Sequence, residues 1–576
     1  MTDTTNTAAL TLLGDEAAAL GALHAGISAA YGYPGTPSTE IMEYLQENAS
    51  DGCRAAWCVN EKTALEAALG TSYAGGRALV TMKHVGLNVA SDPFMNGALL
   101  GIKGGLVIAV ADDPGMHSSQ GEQDSRYYAF FAMVPCLEPR SQQEAYDMCR
   151  EAFDLSERFQ VPVMFRLVTR LSHARSGVRP APPRPRNPLS KAEDKTRWML
   201  LPAHARRNYE TLIEKQEELR RWALSHPSNK LEIKGKDAAF AVITSGLGGN
   251  YYEENLPSLT AKWGMAPARL HIGAYPLPED SIRKLCEKAG EVLVIEEGQP
   301  LIEERLRGIL PQTVRIRGRL RENPPQPRET DRTIPRTGEL DPDNIRPALG
   351  LPPRPSILDT LPPGSPAAVF AGGGVSRPPQ LCAGCPHADS YEALNRAVAA
   401  LNGGTGESPG PRVSVNADIG CYSLGAAPPY AAIESIVCMG ASVGMARGAA
   451  DAGIPYAFAV IGDSTFIHSG ITPLIDAVQA NTPMTVIILD NSTVAMTGCQ
   501  RTAFPSGGLR NLILGTGLDP AHYLELEALK QRLEENAARL KTEAEYRGLS
   551  VVVFRRECLE AARRRRRSDP PKPDCG

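Results

Sequence analysis

Two stretches, Ala459-Val-Ile-Gly-Asp-Ser-Thr465 and Val486-Ile-Ile-Leu-Asp-Asn-Ser-Thr493, are apolar runs that stop abruptly at small polar residues. A buried parallel strand whose carboxyl end opens into a binding loop has this form. Asp463 and Asn491 stand at the two openings, 28 positions apart (491 − 463), with a carboxylate and an amide oxygen. Hard oxygens of this kind, completed by loop carbonyls and phosphate, suit Mg²⁺. Taken alone, Gly462-Asp-Ser464 is as readily a generic strand-end loop. A second set is made of thiols. Cys382 and Cys385 in Leu381-Cys-Ala-Gly-Cys-Pro-His387 have a metal-ligand spacing; Cys421 lies in Asp418-Ile-Gly-Cys-Tyr-Ser-Leu-Gly425, and Cys558 ends the run from Val551. Four thiolates are what a [4Fe–4S] cluster needs, whereas a lone CxxC equally suits a redox pair or half a zinc site. Glu61 precedes a run of helical periodicity at residues 63–70. A carboxylate is stabilised there by the helix dipole, so a capping acid is its plainest role.

The elements that must position these residues alternate between strand and helix. Residues 471–480 read as a helix between the two apolar runs, making one strand–helix–strand crossover. Its polar ends share a sheet edge, where α/β folds bind ligands. Near the amino end, strands at 77–82, 104–111 and 160–167 each run into a polar loop, and Tyr31-Gly-Tyr-Pro-Gly-Thr-Pro-Ser-Thr39 is built for close backbone approach. The fold class is therefore α/β, with doubly wound sheets. At 576 residues the chain exceeds one core and should form about three to four domains. Its formal charge of −4 shows no basic excess that would point to nucleic acid. Residues 563–567 are the only basic run and read as a solvated tail. No signal-peptide pattern opens the chain, and its apolar stretches are far too short to span a bilayer. A cytoplasmic chain is expected, in which twelve cysteines are not a disulfide framework.

By these signals residues 1–177 form a first α/β domain and 178–235 a Pro/Arg-rich connector with a surface helix. A small α/β domain without an evident catalytic set follows at 236–320. A Pro-rich linker wraps the surface over 321–372, a last α/β domain occupies 373–560, and 561–576 form the tail.

Tyr33-Pro-Gly-Thr-Pro-Ser38, Asn60-Glu-Lys62, Met82-Lys-His-Val-Gly-Leu-Asn88 and Asp112-Asp-Pro-Gly-Met-His-Ser-Ser-Gln120 are long, unusual motifs. They resemble the pyrimidine-binding domain of 2-oxoacid:ferredoxin oxidoreductases, closest to the thiamine-bearing large subunit of the indolepyruvate branch. The resemblance runs in the same order over nearly the whole chain. It implies a pyrimidine-type domain, a transketolase C-terminal-like middle domain and a pyrophosphate-type last domain. It implies thiamine diphosphate and Mg²⁺, held by Asp463, Asn491 and the Thr493 carbonyl. Ser464 and Thr465 would donate to phosphate, Gly462 would belong to the grip, and Gly440 would lie in the strand-to-helix floor under the cofactor. His387 fits a cofactor contact and a structural histidine equally. Glu61 would serve the aminopyrimidine, and Thr36 would lie near the substrate oxygens. Cys382, Cys385, Cys421 and Cys558 become a candidate [4Fe–4S] set, while Cys499, where the family carries histidine, is not expected to be a ligand.

The activity implied is oxidative decarboxylation of arylpyruvates to aryl-acetyl-coenzyme A with ferredoxin as acceptor, in a homodimer of this chain joined by a smaller beta subunit. A non-oxidative thiamine-dependent decarboxylase and a non-catalytic assembly subunit are the rival readings. Family members usually continue into a ferredoxin-like domain where Pro570-Pro-Lys-Pro-Asp-Cys-Gly576 stops. The expectation is that those clusters are lost or carried by a separate chain.

Overall fold

The computed structural model describes residues 9–49, 52–233, 240–287, 289–320, 334–355, 362, 379–403, 412–503 and 508–568. The chain divides into two units, Met1–Gly372 and Gly373–Gly576.

The larger sheet of the first unit runs Ala274–Tyr275, Cys136–Leu137, Val163–Val168, Leu106–Asp112, Ala78–Lys83, Ala29–Gly32 and Arg54–Trp57. All neighbours are parallel except the pair joining Ala274–Tyr275 to Cys136–Leu137. Every residue of Leu106–Asp112 and Val163–Val168 is buried, which is why these strands read as largely apolar rather than alternating, with Arg166 and Asp112 as the buried charged exceptions. Parallel pairing sends Gly32, Lys83 and Asp112 to one edge, so the motif-bearing segments at 33–38, 58–61 and 113–125 and the short helix His84–Val89 all begin there. Leu10–Leu13 pairs with Arg175–Val178, and a helix follows directly from Gly14.

The smaller sheet of this unit runs Arg315–Arg317, Glu291–Ile295, Ala241–Ser245, Ala268–Ile272 and Lys230–Glu232, with only the last strand antiparallel. Buried charge ties it to the larger sheet. Arg126 reaches Asp124 at 2.5 Å and Glu296 at 3.0 Å, while Arg166 pairs with Asp112 at 2.6 Å and with Glu138. A buried charge is tolerated when paired and hydrogen-bonded, as each of these is. Helix Pro202–Ser225 packs through Leu212, Leu219 and Trp222 and leaves its other faces to solvent.

The surface linker expected at 321–372 is only partly that. Residues 321–333, 356–361 and 363–372 lie outside the described residues, but Leu340 and Ile345 are wholly buried and Ile334 and Leu349 nearly so. Apolar side chains spaced between the prolines fold this stretch into the first unit's core, where the Leu340 amide donates to Glu297 at 2.9 Å.

The second unit holds one fully parallel sheet, Ser435–Ile436, Val413–Ala417, Tyr456–Gly462, Met484–Asp490, Leu549–Arg555 and Tyr523–Glu527. The basic run expected to be a solvated tail from residue 561 lies, as far as residue 568, on the helix Leu559–Ser568, with its arginines exposed. Alanine and arginine favour helix, and Glu560 pairs with Arg564 one turn on. Cys575 lies outside the described residues.

Candidate functional site

In the first unit Asn60 caps the helix Glu61–Tyr73, accepting from the Thr63 amide at 2.8 Å, and thereby fixes Glu61 at the first helical position. Glu61 is buried, with its carboxyl against Gly86. A Cβ at 86 would stand 2.5 Å from Glu61 Oε1, so glycine is what leaves room for the acid. Thr36 sits in a loop clamped on itself: Ser38 Oγ donates to the Gly35 carbonyl at 2.7 Å, and the Gly35 amide donates to Thr39 Oγ1 at 3.0 Å. Ser118 Oγ donates to the Thr36 carbonyl at 3.0 Å and its amide to Asp113 at 2.8 Å, joining the loops after two strands. Lys83, passed over in the sequence, lies across Gly35 and donates to the Ser118 carbonyl at 3.4 Å. Burial lowers its pKa, opposed by the nearby carboxylates of Asp113 and Glu61. Its position as the last residue of a strand was the available signal.

In the second unit the register sets Gly462 beside Leu489, so Asp463 and Asn491 emerge side by side from neighbouring strands. Gly462 ends its strand against the Tyr422 ring. Asp463 is buried and accepts from the amides of Ser464 at 2.7 Å and Ser492 at 3.0 Å. Burial first, and then the neighbouring Asp490, push its carboxyl up to about 8. Asp490 itself is held by Arg555 at 3.0 Å. Asn491 Oδ1 accepts from the Thr493 amide at 3.1 Å, and Nδ2 donates to His387 Nε2 at 3.1 Å. Burial drops His387 to about 4, so it is a neutral acceptor and orients the asparagine. Ser464 Oγ is buried without a hydrogen-bond partner, whereas Thr465 Oγ1 is taken by the Ile419 carbonyl at 3.0 Å. Gly440 adopts φ +85° ahead of helix Ala441–Asp451, where a Cβ would lie 2.6 Å from that of Ser469.

The four candidate thiols are neighbours. Cys421 is raised to about 12 by burial first, then by Cys385, Cys558, Asp463 and Cys382. Cys385 feels Cys382 and Cys558, with the Cys385 amide donating to the Cys382 carbonyl at 3.0 Å. Cys421 Sγ lies 3.3 Å from His387 Nε2, and the Cys558 amide donates to the Asn491 carbonyl at 3.2 Å. The thiols therefore border the Asp463–Asn491 pocket. Among the described residues no three His, Cys, Asp or Glu side chains close on a single metal ion. A cubane spreads its thiolates farther apart than one ion does, and a site built on one aspartate, an amide and a carbonyl contains no such trio. Cys499 stands against Cys558, a contact that sequence separation hid.

Both units carry a thiamine-diphosphate-binding domain. Residues 20–232 match the family model described as pyruvate flavodoxin/ferredoxin oxidoreductase, thiamine diphosphate-binding, and residues 418–530 match the thiamine pyrophosphate enzyme C-terminal binding domain. The chain is 37% identical over 584 aligned positions to the indolepyruvate oxidoreductase subunit IorA of Archaeoglobus fulgidus, covering 97% of this chain and 88% of that protein. Identity to the subunit of the same name from Methanothermobacter thermautotrophicus is 36% over 566 positions, covering 96% and 87%. For the one from Thermococcus kodakarensis it is 34% over 589 positions, covering 95% and 85%. The chain belongs to the IorA, or thiamine-binding alpha, subunits of the 2-oxoacid:ferredoxin oxidoreductases.

Proposed function

We propose that the chain is the thiamine-bearing subunit of an enzyme that oxidatively decarboxylates arylpyruvates of the indolepyruvate and phenylpyruvate type. The products are aryl-acetyl-coenzyme A, CO₂ and reduced ferredoxin. The observation that carries the reading is the Asp463–Asn491 pair at the ends of adjacent parallel strands, in a chain similar throughout to named indolepyruvate oxidoreductase subunits. The residues present fit the cofactor: a buried carboxylate without a cation, an amide oxygen beside it and an unpartnered hydroxyl, Ser464 Oγ.

In this reading Asp463, Asn491 and the Thr493 carbonyl hold Mg²⁺, Ser464 and Thr465 face the diphosphate, and Gly440 and Gly462 shape the floor. Bound thiamine diphosphate supplies the carbanion chemistry. Glu61 would hydrogen-bond the aminopyrimidine nitrogen through its carboxyl, and Gly86 leaves that carboxyl its place. Thr36 orients substrate oxygens. Cys382, Cys385, Cys421 and Cys558 hold a [4Fe–4S] cluster, and His387, neutral at working pH, keeps Asn491 turned. Residues 1–177 are then the pyrimidine domain, 236–320 the transketolase C-terminal-like domain and 373–560 the pyrophosphate domain. A smaller beta subunit, ferredoxin and a second copy of this chain complete the proposed assembly, which works in the cytoplasm. Among the described residues no helix is long and apolar enough to cross a membrane.

The test is an anaerobic assay of the chain with its beta subunit, using indolepyruvate and a viologen dye. Dye reduction dependent on coenzyme A supports the reading. Arylacetaldehyde release without an acceptor would instead establish the non-oxidative decarboxylase, and absence of both would leave an assembly subunit.

A further inference from the structure

Away from the loops described above, helix Pro202–Ser225 and helix Ser91–Leu100 wall a cleft of about 280 Å³. Its apolar side is Ala98, Leu99 and Leu212; its polar side is Arg197, Arg207, Asn208 and Lys215, with Asp194 as the one carboxylate in the lining. Asn208, Thr211, Leu212 and Lys215 follow the 0, 3, 4, 7 spacing, so one face of the long helix makes the wall. We propose that this cleft binds a phosphate monoester as its dianion, an assignment that does not rest on the reading of the thiamine site.

Three observations converge on an anion. Three cations face one acid, and that acid is already engaged: Asp194 accepts from the amide and hydroxyl of Thr196 at 2.8 and 2.7 Å and has Arg207 at 3.9 Å. Arg197 is set in place, donating to the Leu100 carbonyl at 2.7 Å and passing over Gly101, where a Cβ would stand 3.0 Å from Nη2. It also faces Asn208 Oδ1 at 3.5 Å. A guanidinium only donates, so the amide oxygen must turn to it and Nδ2 must turn away. That Nδ2 is buried without a partner, on a side chain only 6% exposed, and it awaits an acceptor.

Lys215 completes the set. Burial first, and then Arg197, bring its ammonium down to about 8, with Glu218 pulling the other way. Like charges confined together are relieved by an anion between them, and paired charge-assisted bonds to phosphate are among the strongest available. A doubly charged head answers the surplus of cations, and the apolar wall suits a short organic body.

The test uses full-length protein saturated with Mg²⁺ and thiamine diphosphate, so that the diphosphate grip is filled. Phenyl phosphate is titrated by calorimetry at fixed ionic strength, with phenyl sulfate as the singly charged counterpart. One saturable site per chain is expected, at least about tenfold tighter for the phosphate. Lys215→Met and Asn208→Asp should each weaken it by about tenfold or more, with unchanged circular dichroism. The exposed Arg207→Gln provides a third variant should either of those fail to fold. No saturable binding, equal affinity for the two probes, or binding indifferent to the folded variants overturns the proposal.

Discussion

Gly86 lies against the carboxyl of Glu61, near enough that a single methyl group would come within 2.5 Å of Oε1 and 2.7 Å of Cγ. A glycine in the short helix His84–Val89 after one strand thus sets the position of an acid at the start of a different helix.

Gly86→Ala should therefore leave the fold intact and damage turnover. The obstructed atoms are the far end of a flexible side chain, which can swing aside at a cost of about 1 kcal/mol. We expect a melting temperature within a few degrees of wild type and kcat down by about tenfold or more. Normal kcat with Glu61 visibly displaced would show that its position is immaterial.

Glu61→Gln keeps the shape and loses the acid. Thiamine diphosphate affinity should change little, while kcat should fall by about 10²–10⁴-fold, the range for loss of a proton-transferring group. Equilibrium dialysis and steady-state assay separate the two effects, and near-normal turnover would remove the proposed role.

Asp463→Ala should abolish Mg²⁺-dependent uptake of thiamine diphosphate, because one oxygen ligand and the anion that attracts the metal go together. Burial already disfavours the charged form of this carboxyl, which offsets part of the loss of the two amide bonds from Ser464 and Ser492 in the folded state. Fluorescence titration with and without EDTA is the measurement. Unchanged affinity would take Asp463 out of the metal site.

The thiols give a paired comparison. Cys421→Ser should lose iron, sulfide and the visible absorption of anaerobically purified protein, whereas Cys499→Ser, at a neighbouring thiol outside the proposed four, should keep them. Equal iron in both variants would refute the assignment of Cys421.

Glu297 carries a pH prediction. Burial raises its carboxyl to about 7, and Oε2 has no hydrogen-bond partner. Above the usual glutamate range and below about 7, the folded state holds a proton that the unfolded chain has released. This group therefore favours folding at low pH, and its contribution is lost as pH rises through that window. Glu297→Gln, which retains an acceptor for the Leu340 amide, should stabilise the protein at pH 8 by about 1–3 kcal/mol and flatten the rise in melting temperature towards pH 6. A steeper rise would reverse the sign of the argument.

The sequence alone determined what depends on neighbours along the chain. The apolar strands at 106–112 and 484–490, the helix start at Glu61, and the polar openings at Asp463 and Asn491 were all legible, because parallel strands buried on both faces are mostly apolar until they end. The tertiary structure alone decided what depends on distance in space. Gly86 against Glu61, Lys83 over Gly35, His387 on Asn491 and the gathering of Cys382, Cys421 and Cys558 join positions 25 to 176 apart (86 − 61 and 558 − 382), and no local propensity encodes such pairs. The stretch at 334–351 is the clearest case. Its prolines and charges suggested an exposed connector, yet six aliphatic side chains find a core made by other elements, and burial of those side chains overrides local composition.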